Sequence, residues 1–127
     1  MLHADSIHHD IFVIGTQEAL GGIVGSMFKP SKEVMNRMIQ DSLGPKYVML
    51  QSVCLQATHL VIFISARLVP LVSNVETDTC ATGFKNMLGN KGAVKISFNL
   101  VDRSMVFING HLHSGLNGVA NRNRDIA

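Results

Sequence analysis

Thr82-Gly83-Phe84-Lys85-Asn86-Met87-Leu88-Gly89-Asn90-Lys91-Gly92-Ala93-Val94 is a glycine-rich run carrying two lysines and two asparagines, set directly before an alternating apolar stretch. Glycines let a main chain approach an anion closely, Lys85 and Lys91 supply positive charge, and Asn86 and Asn90 offer amide donors. The combination suits a phosphate-bearing ligand. It is not a nucleotide-binding P-loop, because no Gly-Lys-Ser/Thr follows a glycine at the required interval and the run leads into a strand where that loop opens a helix.

Downstream, Lys95 to Leu100 places Ile96, Phe98 and Leu100 on one face with polar residues between them. Asp102-Arg103 reads as a tight turn, and Met105 to Asn109 returns as a second strand. The glycine-rich run thus feeds a β-hairpin whose second strand delivers His111. Upstream, Ile11 to Gly15 is a continuous apolar run rich in β-branched residues, expected as a strand buried on both faces, with Glu18 just past its end. Ala19 to Pro30 contains Gly21, Gly22, Gly25 and Pro30 and reads as a loop, with Ser31 placed to cap the helix that follows. Val34, Met35, Met38, Ile39 and Leu43 recur at helical spacing until Gly44-Pro45. Tyr47 to Gln56 and His59 to Arg67 are β-rich runs across a short polar break, and Leu68 to Val75, which contains Pro70, reads as an irregular edge.

Three segments carry chemistry in a set order: Asp10-Ile11-Phe12-Val13-Ile14-Gly15-Thr16-Gln17-Glu18, the run Thr82 to Val94, and Phe107-Ile108-Asn109-Gly110-His111-Leu112. Together they resemble the inositol polyphosphate 5-phosphatases of the DNase I-like endonuclease/exonuclease/phosphatase superfamily, over about Asp10 to Asp125. The resemblance implies an α/β (α+β) fold, part of a four-layer DNase I-like sandwich with mostly antiparallel sheets. It also implies Mg²⁺-dependent hydrolysis of the 5-phosphate of phosphoinositides or inositol polyphosphates. In that reading Glu18, within Gly-Thr-Gln-Glu, is the Mg²⁺ ligand and Gln17 supports it, since Mg²⁺ takes one or two carboxylates and completes its shell with water and substrate phosphate. Asn86, Asn90 and Lys91 line the inositol phosphate site. His111, with Asn109 beside it, is the catalytic group that hydrogen-bonds the scissile phosphate and stabilises developing charge. Arg122 and Asn123, in the Arg-Asn-x-Asp stretch opening the next helix, support the site.

Without the resemblance, Glu18 is a loop carboxylate after a strand and each histidine a packing or surface residue. His113 lies two residues from His111, on the same side of an extended segment, but nothing completes a two-histidine metal site and His113 is given no role.

Composition sets the bounds. In 127 residues with 46% hydrophobic content there is one globular unit without repeats or linkers. A net charge of +2 with dispersed lysines and arginines gives no case for a nucleic-acid partner, and no obligate protein partner is implied. Cys54 and Cys80 read as free thiols of a reducing compartment. Met1-Leu2-His3-Ala4-Asp5-Ser6 lacks the basic start and apolar stretch of a signal peptide, and Leu60 to Ile64 is far too short to span a bilayer. The expectation is a cytoplasmic protein, in peripheral contact with a membrane surface where its substrate is a lipid.

Members of this family carry an asparagine-ending strand upstream, and Gly-Asp-x-Asn, Pro-x-Trp-Cys-Asp-Arg and Ser-Asp-His segments downstream. Residues 1–127 contain none of these and are expected to be the N-terminal to middle portion of a catalytic domain, inactive alone and either marginally stable or self-associating through exposed faces and edges. The alternative reading is a non-catalytic phosphoinositide-binding fragment.

Overall fold

The computed structural model describes residues 9–18, 32–82, 91–116 and 118–127. Strand β1 (Ile11–Gln17) precedes helix α1 (Lys32–Leu43), then come β2 (Tyr47–Leu55), β3 (Thr58–Ser65), a 3₁₀ turn (Ala66–Leu71), β4 (Val72–Ala81), β5 (Gly92–Leu100), β6 (Arg103–His111) and helix α2 (Val119–Ile126). The strands form two antiparallel three-stranded sheets, ordered β1-β3-β2 and β4-β5-β6. This is a mixed α/β architecture, as the sequence implied.

Strand β3 organises the layers. Its run Leu60-Val61-Ile62-Phe63-Ile64 is at most 2% exposed, because it lies between β1 and β2 with both faces covered. Leu60 and Ile62 face the second sheet and pack with Val94, Ile96 and Phe98 of β5. Val61 and Phe63 face the other way, against Leu43 and Ile39 of α1, Tyr47, Phe12 and Ile14. Period-two alternation sends successive side chains to opposite faces, so an all-apolar strand holds two cores at once. Each fully buried side chain of this size contributes about 1.5–3 kcal/mol.

The expectation that β1 is the strand buried on both faces is corrected. Strand β1 lies at an edge of the described sheet, and Val13 is 38% exposed. The hairpin lies one residue earlier than read: Leu100 pairs Arg103, so the turn is Val101-Asp102, with Val101 at φ 57°. Strand β4 lies where the sequence showed only an irregular edge around Pro70; Pro70 sits in the 3₁₀ turn and the polar stretch beyond it is a ten-residue strand. Hydrophobic periodicity misses β4 because Ser73 to Cys80 are exposed on both faces and its ladder rests on pairing with β5. It bulges between Ser73 and Glu76, with Asn74 at φ 52°.

Helix α1 covers the first sheet, and Gln40 Nε2 ties its last turn to β2 by donating to the Tyr47 carbonyl at 2.7 Å. The proposed cap Ser31 lies outside the described residues. The outer face of the second sheet carries exposed Val106 and Ile108. Cys54 and Cys80 are free thiols.

His59 is buried completely, with Ser52 Oγ 3.0 Å from Nε2 and Asn36 Nδ2 donating to the same hydroxyl. Burial, and secondarily the nearby Lys32 ammonium, hold its imidazole below the ordinary histidine range. The unfolded chain therefore takes up a proton more readily than the folded one. Stability is full above the unfolded-chain value of about 6.5 and falls as pH drops below it. Urea unfolding from about pH 7.5 down to about pH 5.5 is expected to show this decline, and His59→Gln to reduce its slope; an unaltered slope would rule out this titration.

Candidate functional site

The two sheets are joined at one end by Asn109 of β6. Its Nδ2 donates to the carbonyls of Thr16 at 3.0 Å and His59 at 2.9 Å, which belong to adjacent strands of the first sheet. Gln17 Nε2 reaches back the other way, donating to the Gly110 carbonyl at 2.6 Å and lying 3.4 Å from Asn109 Oδ1. Gly15 makes this approach possible: a Cβ there would stand 3.0 Å from Asn109 Cγ. Asn109, read from the sequence as a catalytic residue beside His111, has its amide protons engaged by the Thr16 and His59 carbonyls and so helps hold the sheets together.

The bridge sets Glu18, at the exit of β1, next to His111, at the exit of β6. Glu18 Oε1 lies 3.5 Å from His111 Nε2. Glu18 has φ 59°, a conformation uncommon outside glycine, and its N–H donates to the Ala57 carbonyl at 2.8 Å. Its side chain is 54% exposed whereas that of His111 is 11% exposed. The carboxylate faces solvent beside a fixed ring.

Lys91 completes the cluster. Its Nζ is 2.7 Å from His111 Nε2. An ammonium has only protons to offer, so Nε2 is the acceptor and the ring carries its proton on Nδ1, which is buried without a partner among the described residues. Lys91 stands at the neck of the glycine-rich run, where the Thr82 N–H donates to the Lys91 carbonyl at 3.1 Å. Gly92 follows at φ 151°, and a Cβ on it would run into the Cys80 carbonyl oxygen. This glycine thus serves close packing of β5 on β4. Asn86 and Asn90 lie outside the described residues.

On α2, Arg122 donates to the carbonyls of His113 and Gly115, 3.1 and 3.0 Å away. Asn123 is exposed, and its side chain does not join the cluster. Sequence reading gave His113 no role and took Asp125 only as the last residue of Arg-Asn-x-Asp; the two pair at 2.6 Å. The available signal was spacing: Arg122 and Asp125 stand three apart on one helix and share a face.

The profile of endonuclease/exonuclease/phosphatase family 2 matches residues 1–127. The chain belongs to this family. Human synaptojanin-2 is 34% identical over 126 residues, covering 95% of this chain and 8% of its own length. Rat phosphatidylinositol 3,4,5-trisphosphate 5-phosphatase 1 is 34% identical over 122 residues, covering 96% of this chain and 10% of its own length. The crystal structure of the inositol polyphosphate 5-phosphatase domain of SPsynaptojanin, in complex with inositol (1,4)-bisphosphate and calcium ion, superposes with a TM-score of 0.80 at 33% identity. That match covers 95% of this chain and 36% of the solved one. The chain spans about a tenth or less of the curated family members named here and about a third of the solved domain.

Within this family fold, the Asn109 bridge is what the site stands on. Asn109→Leu removes both carbonyl contacts and is expected to lower stability by about 1–3 kcal/mol in urea unfolding. A loss below about 0.5 kcal/mol would show that the bridge contributes nothing net.

Proposed function

We propose that this chain forms the Glu18, Lys91 and His111 side of an Mg²⁺-dependent inositol polyphosphate 5-phosphatase, which removes the 5-phosphate from phosphoinositides or soluble inositol polyphosphates. Residues 1–127 are, on this reading, the N-terminal to middle portion of its catalytic domain. The observation that carries it is the convergence, from three separate strand ends, of the Lys91 ammonium at 2.7 Å and the Glu18 carboxylate at 3.5 Å on the His111 imidazole Nε2. The relatives' names and the inositol (1,4)-bisphosphate held by the matching domain support the choice of substrate.

Glu18 fits a magnesium ligand in kind, being a solvent-facing carboxylate at a strand exit whose N–H is held by the Ala57 carbonyl. Among the described residues no group of three acidic, histidine or cysteine side chains could hold a metal. Mg²⁺ commonly takes one or two carboxylates, with water and substrate oxygens elsewhere in its shell. When bound, the ion supplies polarisation of the phosphoryl group. Lys91 turns its ammonium from His111 to a phosphate oxygen as the anion arrives. His111 donates to the phosphate when its Nε2 carries a proton, and the buried setting strengthens that hydrogen bond. Asn86 and Asn90 add amide donors from the glycine-rich run.

For a lipid substrate the protein works at the membrane surface from the cytoplasmic side. Among the described residues no helix is long and apolar enough to cross a membrane. The single carboxylate of the cluster favours one second reading, phosphoinositide binding without turnover by residues 1–127 alone.

Phosphate release from short-chain phosphatidylinositol 4,5-bisphosphate, with and without Mg²⁺ and beside Glu18→Ala, separates the two. The 127-residue chain is expected to bind inositol 1,4-bisphosphate, about tenfold more weakly after Lys91→Ala, and to release little phosphate. Mg²⁺-dependent release that Glu18→Ala abolishes would show that these residues suffice for catalysis. Absence of both binding and release would overturn the proposal.

A further inference from the structure

Beyond His111 the chain leaves the sheet. Gly92 opposite His111 is the last pair of the β5–β6 ladder, so residues from Leu112 onward have no strand to hold them. Two side chains of α2 take over. The Asp125 carboxylate oxygen Oδ2 accepts from the His113 N–H at 3.1 Å and lies 2.6 Å from His113 Nδ1, whose proton it receives. Arg122 Nη1 donates to the His113 carbonyl at 3.1 Å and the Gly115 carbonyl at 3.0 Å. The backbone N–H, the carbonyl and the ring of His113 are therefore all held by one face of one helix.

The arrangement is built into the fold. The Asp125 side chain is 5% exposed, and the hydrogen bonds from His113 hold its carboxyl below the usual carboxylate range although burial works the other way. Gly118 leaves the passage for Arg122: a Cβ there would stand 2.8 Å from the Arg122 Nη1 and 2.7 Å from the Ser114 carbonyl. Enclosing the Asp125 carboxylate costs desolvation, which the hydrogen bonds from His113 offset.

We propose that His113, Asp125 and Arg122 are positioning residues, a clamp by which α2 fixes the exit of β6 and so the orientation of the His111 ring toward Lys91 and Glu18. Strand β5 holds His111 from the side of Gly92, and the clamp holds it from the side of Leu112. Two anchors flanking one residue fix the backbone from which its ring projects toward Lys91 and Glu18. The importance of that orientation for phosphate rests on the function proposed above; the clamp itself does not.

The test is ¹⁵N nuclear magnetic resonance of the histidine rings in the 127-residue chain, with inositol 1,4-bisphosphate binding measured alongside. Asp125→Asn is expected to shift the His111 ring signals and weaken binding about tenfold, while the amide signals of β3 and β5 stay in place. His111 signals that do not move in the folded variant would overturn the clamp. Where Asp125→Asn fails to fold, Arg122→Ala is read in the same way. Loss of the fold in both variants would overturn a local positioning role in favour of general structural support. Ring signals that move in a chain that never binds inositol 1,4-bisphosphate would support the clamp and overturn the phosphate reading.

Discussion

Two side-chain amides, those of Asn109 and Gln17, tie together two sheets whose facing interiors are apolar. Hydrophobic packing between Leu60 and Ile62 on one side and Val94, Ile96 and Phe98 on the other is strong but non-directional. It brings the sheets together without dictating how their ends align. The hydrogen bonds from Asn109 to the Thr16 and His59 carbonyls are directional and half-buried, so that a mismatch would leave polar groups poorly satisfied. They define the relation between β1 and β6, and with it the distance between Glu18 and His111.

Small residues make that alignment possible. Gly15 clears the space that Asn109 occupies, and Gly92 lets β5 lie close against β4 so that Lys91 emerges beside His111. Neither glycine needs a ligand to explain it. The positive charge of Lys91, by contrast, meets a ring nitrogen. A second polar cluster on α2 extends the order past the end of the sheet.

Much of this was legible in the chain. Helix α1 follows from its apolar spacing, β5 from its alternation and β6 from its return after a turn. The candidate residues Glu18, Lys91 and His111 were each marked by a local motif, and they converge. Strand β4 was not legible, because a polar edge strand is specified by its partner's backbone and carries little period of its own. Nor was the burial of β1 against that of β3 legible, since both are short apolar runs and strand order alone makes one an edge and the other a centre.

The sequence by itself determined which segments are apolar and at what period, and which side chains bring chemistry to strand ends, because these depend only on neighbours along the chain. Tertiary structure alone decided that Asn109 is a bridge between sheets, that Lys91 donates to His111, and that His113 is held by Asp125 and Arg122. Those roles rest on hydrogen bonds between groups distant in sequence. A donor's partner is settled by which acceptor the fold carries within about 3 Å of it, and spacing along a chain does not contain that distance.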